Sequence, residues 1–187
     1  MEKKSQAYLL GGFMLFIILF LFIISKNNPN SNIEMQNYVA KNIANEFIDS
    51  LNAFFLKNNN IDYTNSGMAK YCVVAQNFSK SESLHLNAYY VIIVPNTGVI
   101  FGNYLGENLY NVSFSINNET IVKPVLNENN IIFYFNETKN NSINYEYCFN
   151  TSLGDFKKSK TIQNKLHYIY WIKLTNKKNK IIKEIIG

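Results

Sequence analysis

The chain of 187 residues contains no arginine, so every one of its 18 basic side chains is a lysine. The planar guanidinium fork that reads phosphates two oxygens at a time is therefore missing from its chemistry. Histidine is almost as scarce. His85 and His167 are the only two, and neither has another ligand-type side chain two to four positions after it, as a zinc site on a helix or hairpin would show. The G-x-S-x-G, H-E-x-x-H, P-loop and G-x-G-x-x-G patterns are all absent. A non-enzymatic chain without cofactor or metal is the expectation. Charged residues make up only 17% of the chain, against 47% hydrophobic and 15% aromatic, which excludes a disordered solvated tail and calls for a packed, aromatic core. The length accommodates a membrane segment and one domain of roughly 150 residues.

Charge is unevenly spread. Residues 1–154 hold nine lysines against eleven acids, whereas residues 155–187 hold nine lysines against two, giving a basic C-terminal end. Such a block serves either as a solvated strand edge or as a contact for a polyanion or anionic surface.

One run in the chain is apolar almost throughout. Ala7 to Ile24 carries no charge and spans about 27 Å as a helix, close to the thickness of a bilayer core. The run is longer than the apolar part of a secretory signal peptide, and Ser25-Lys26-Asn27-Asn28-Pro29 offers no small-x-small cleavage site, so a retained transmembrane helix over 7–24 is expected. Lys3 and Lys4 precede it and only Lys26 follows closely, which places the N-terminus in the cytoplasm and the C-terminal domain outside the cell. Ala7 and Gly11 share one helical face, a spacing that allows another helix to approach.

The opening Lys3-Lys4-Ser5-Gln6-Ala7-Tyr8-Leu9-Leu10-Gly11 resembles the class III signal of archaeal type IV pilin-like proteins, in which a short basic leader and a small residue precede an unbroken apolar helix. The resemblance covers about the first 25 residues. It implies cleavage between Ser5 and Gln6, within the basic leader region 1–6, and self-association or assembly with pilin subunits through the N-terminal helix. Ser5 and Leu10 depart from the Gly or Ala and the Glu usual at those positions, and an unprocessed signal anchor is the alternative.

Residues 25–32 are polar, contain Pro29 and read as a linker at the membrane surface. Ser31 and Glu34 fit a capping box, and Val39, Ile43, Phe47, Leu51 and Phe55 recur every four residues, so an amphipathic helix is predicted over 33–58. From residue 68 the period falls to two. Short apolar segments at 71–78, 88–94, 99–105, 109–116, 120–126, 131–136, 142–149 and 166–175 predict an all-β domain over 68–187, an antiparallel sandwich of about eight strands. In 110–116 the inward set is Tyr110, Val112, Phe114 and Ile116. Pro95 to Gly98, Asn117-Asn118 and Asn127 to Asn130 supply hairpin turns, Pro124 marks an edge strand, and the closing isoleucines 181–186 lean towards a final strand.

Cys72 and Cys148 are expected to form one disulfide, which in an exported domain would stabilise the fold by roughly 4 kcal/mol. Two buried, separate cysteines are the other reading. Six N-x-S/T sequons, at Asn77, Asn111, Asn118, Asn136, Asn140 and Asn150, are candidate N-glycosylation sites, all in the part expected outside. Near the end His167, Tyr168, Tyr170 and Trp171 interleave with lysines as a single-stranded nucleic-acid groove would require. Tyr168, Tyr170 and Ile172 nevertheless share one face and read as core, so nucleic acid is not an expected partner. The whole describes a membrane-anchored cell-surface protein, pilin-like in its stem, or alternatively an anchored module that binds polyanions through its lysine-rich end.

Overall fold

A computed structural model of the chain describes residues 29–187, except 59, 95, 118, 136–141, 164 and 178. Helix α1 (Pro29–Asn58) carries the expected stripe: Val39, Ala40, Ile43, Ala44, Phe47 and Leu51 are buried, with Ile48, Phe54 and Phe55 half-buried beside them. The helix already covers the end of the expected linker, so Ser31 lies within it and the anticipated capping box is not its start. The expected transmembrane helix 7–24 and leader 1–6 lie outside the described residues. Among those residues no helix is long and apolar enough to cross a membrane.

Helix α2 (Ile61–Ser81) replaces the strand expected at 71–78 and moves the start of the β region from residue 68 to residue 85. Asn60 caps it, its side-chain oxygen accepting from the Tyr63 amide at 3.0 Å. The buried positions Ile61, Thr64, Met68, Tyr71, Cys72, Ala75 and Ser79 fall at helical spacing. Two of these, Thr64 and Ser79, are small and polar, while the apolar Val73 and Val74 point outward, so residue type alone misreports the buried face.

Nine strands follow among the described residues: β1 (His85–Val94), β2 (Gly98–Tyr104), β3 (Leu109–Ile116), β4 (Glu119–Val125), β5 (Asn129–Tyr134), β6 (Ser142–Thr151), β7 (Gly154–Gln163), β8 (His167–Thr175) and β9 (Lys180–Ile186). They form two antiparallel sheets, a five-stranded one in the order β5-β2-β1-β8-β9 and a four-stranded one in the order β4-β3-β6-β7. Strand β7 has no counterpart among the expected strands, and β9 is the final strand towards which the closing isoleucines lean. Hairpins do join β1 to β2 and β3 to β4. The residues 127–130 instead form a corner, because β4 and β5 belong to different sheets. Pro124 sits in β4, an edge strand as its missing donor requires.

The layers follow from which side chains meet. One core joins α1 and α2 to the five-stranded sheet through Phe47, Tyr71, Tyr90, Ile92, Tyr170 and Ile172. Phe47 stacks on Tyr170 with ring centroids 4.1 Å apart, and the Tyr71 hydroxyl donates to the Ile43 carbonyl at 2.6 Å. A second core fills the space between the sheets with Tyr89, Val91, Phe101, Phe114, Tyr147, Phe149 and Trp171. The five-stranded sheet is thus covered on both faces, which is why β1 and β8 read as nearly unbroken apolar runs. The four-stranded sheet alternates instead and keeps one face in solvent. Val39 to Gly187 forms one compact unit.

Candidate functional site

The two cysteines do not meet. Cys72 lies in α2 and is buried in the core between the helices and the five-stranded sheet; Cys148 lies in β6, half-buried on the outer face of the four-stranded sheet opposite Ser113. A whole sheet and the inter-sheet core separate the two, both thiols are free, and the expected disulfide is not formed. Burial pushes the Cys72 thiol well above its usual range, so it stays protonated. The same cause raises Tyr71, Tyr90 and Tyr170, whose hydroxyls belong to the packed interior.

Of the expected acceptor asparagines, Asn77 is exposed on α2, and Asn111 and Asn150 are exposed close together on the outer face of the four-stranded sheet. Asn118, Asn136 and Asn140 lie outside the described residues, as do Ser5 and Gln6.

The basic C-terminal block becomes one flank of the β region. Strands β7 and β9 are edges of different sheets, and the Lys158 ammonium reaches Glu184 at 2.8 Å, a side-chain bridge between the two edges. Lys157 pairs with Glu146 at 3.0 Å. Lys160, Lys165, Lys180 and Lys183 are exposed. His167 is buried against this flank, with its Nε2 3.3 Å from the Tyr145 hydroxyl. Burial foremost, then the charges of Lys160, Lys158 and Lys165, hold its pKa below 6.5, opposed by a backbone hydrogen bond to Gly187. Trp171 does not join the lysines: it is buried between the sheets and stacks on Tyr89 at 5.6 Å. The flank supplies positive charge without an exposed aromatic, which suits attraction of an anionic surface and not the stacking of bases.

Two concavities stand out among the described residues. A groove of about 730 Å³ runs between α1 and α2, lined by Ile43, Glu46, Asp49, Phe54, Val74 and Phe78 among others. A shallower one of about 490 Å³ lies on the outer face of the four-stranded sheet, lined by Glu107, Asn108, Tyr110, Asn111 and Asn150 with Cys148. It exists because β3 is irregular. Alternation places Tyr110 inside, but a bulge between Leu109 and Val112 leaves Leu109 buried and turns both Tyr110 and Asn111 outward. Tyr110, 75% exposed, is the residue that reasoning by period two misplaces. Its one visible sign is the exception in the burial pattern, which no propensity encodes. Among the described residues no group of three His, Cys, Asp or Glu is placed to hold a metal ion. No family model, no curated protein and no solved structure matches this chain.

Proposed function

We propose that this chain is a membrane-anchored surface protein, N-terminus in the cytoplasm and C-terminal β-rich domain outside, acting as a non-enzymatic structural or interaction subunit of pilin-like type. The observation that carries the reading is the uncharged run Ala7–Ile24 directly behind Lys3 and Lys4. It is supported by the way α1, from Val39 onward, donates an apolar stripe to the domain core. Protease added to intact cells should degrade a C-terminal epitope tag, and N-terminal sequencing of the mature protein should begin at Gln6. A tag protected until lysis rejects the topology, whereas a chain beginning at Met1 or Glu2 keeps the anchor and rejects the pilin-like processing.

A second reading, an anchored module that binds polyanions, is favoured by the joining of the β7 and β9 edges into one lysine flank. Binding of this kind must weaken steeply as salt rises. Retention on an anionic column that persists unchanged at high salt would exclude it.

A further inference from the structure

We propose that the groove on the outer face of the four-stranded sheet is a saccharide-binding site that takes a neutral oligosaccharide across Tyr110. The inference stands apart from the membrane reading, because every residue of the proposed site lies between 103 and 161.

Four observations carry it. First, the bulge in β3 turns a tyrosine into solvent at a place where the strand's alternation would have buried it. Bulges re-aim side chains next to sites, and departures from local rules concentrate where function demands them. A phenol ring left 75% exposed offers a flat apolar face with a polar tip, which fits the C–H face of a sugar ring with its hydroxyls at the rim. Second, the pairing of β3 with β6 runs from Ser113 to Ile116 only, so towards Leu109 the strands part and leave room between Tyr110-Asn111 on one side and Asn150 on the other. Asparagine offers an acceptor and two donors within one planar group, the combination that adjacent hydroxyls can satisfy.

Third, the rim is held in place before any ligand arrives. The Glu107 carboxylate accepts from both the amide and the hydroxyl of Ser152 at 2.8 Å, the Asn103 side chain donates to the Glu107 carbonyl at 2.8 Å, and Asn108 Oδ1 accepts from the Asn127 amide at 2.9 Å. A preorganised rim loses less freedom on binding. Fourth, the surrounding surface carries mainly short polar side chains, with the exposed Asp155 opposite Asn150. Ser115 and Thr120 hydroxyls bond at 2.8 Å, Thr161 bonds Asn144 at 2.6 Å, and the nearby Lys157 and Glu146 neutralise one another. No lysine lines the groove and one carboxylate does, which selects a neutral ligand over a phosphate or an acidic sugar. Asn111 and Asn150 are also sequon asparagines, and a glycan attached to either would fill the same space, so attachment there and binding exclude one another.

The full chain, purified in detergent, is applied to an array of neutral glucose, galactose, mannose and N-acetylhexosamine oligosaccharides, and affinity for the best-retained one is measured by calorimetry. Tyr110→Ala should weaken binding about tenfold, Tyr110→Phe should retain it, and Tyr38→Ala, which removes a tyrosine 64% exposed on α1, should leave it unchanged. Should Tyr110→Ala melt early, Asn150→Ala on the facing strand carries the same expectation. Absence of retention on every neutral sugar, equal binding by wild type and both groove variants, or a glycan found on Asn111 or Asn150 of the native protein would each overturn the assignment.

Discussion

His167 shows how one side chain couples this fold to pH. Its pKa lies below 6.5 in the folded chain because burial and the Lys160, Lys158 and Lys165 charges disfavour the imidazolium. The unfolded chain, with the ordinary value, takes up the proton first as pH falls. Stability contributed by the neutral ring is therefore complete above the ordinary value and declines as pH drops below about 6.5 towards the folded pKa. Urea unfolding midpoints measured from pH 7.5 down to about pH 5.5, above the range where carboxylates titrate, should fall for the wild type and stay nearly level for His167→Gln. An equal decline in both would assign the pH sensitivity to other groups. At this scale reading from sequence succeeds where a residue obeys its neighbours' period and fails where it does not. Phe47 and Leu51 are buried as their spacing requires, whereas Tyr110 is turned out by an irregularity that depends on how β3 meets β4.

Gly98 opens β2 at the turn that joins it to β1, and its lack of a side chain lets β5 come close. A Cβ there would collide with the Phe133 carbonyl oxygen, a backbone atom that cannot swing aside. Gly98→Ala should cost about 1–3 kcal/mol, read as a lowered urea midpoint with an unchanged slope; an unchanged midpoint would show that β5 can shift without penalty. The legibility of elements follows similar lines. Strands whose faces divide cleanly, such as β6, and turns built on asparagine or proline are visible in the sequence. Helix α2 is hidden because Tyr71-Cys72-Val73-Val74 has the composition of a strand, while the stripe it buries includes Thr64 and Ser79. Strand β7 is hidden because it is an edge: only Phe156 and Ile162 are large and apolar among ten residues, and its lysines cover the flank.

Across the whole molecule, the five-stranded sheet serves as the middle layer for two cores, and the single tryptophan reports on one of them. Trp171 stacks on Tyr89 and meets Phe156 edge-on at 5.3 Å, so its ring senses both sheets at once. Its emission should be that of a buried indole, and in a urea titration its transition should coincide with loss of the far-ultraviolet circular dichroism signal, as a single cooperative unit requires. A fluorescence transition at lower urea would mean that the four-stranded sheet detaches first. Two sheets of antiparallel strands could be anticipated from local pattern. Which strand joins which sheet could not, because the corner at 127–130 resembles a hairpin turn in residue type and differs only in where the chain goes next. The partnership of β1 with β8, in which Tyr90 lies opposite Tyr170, carries a consequence in time. The four-stranded sheet is drawn entirely from residues 109–163, so its hairpins can assemble while the chain is still growing, but the middle layer stays open along β1 until the last twenty or so residues have emerged. Until then Tyr90, Ile92 and the apolar stripe of α1 lack a lid, and a ribosome stalled shortly before β8 would hold a molecule with its earlier hairpins in place and no closed interior.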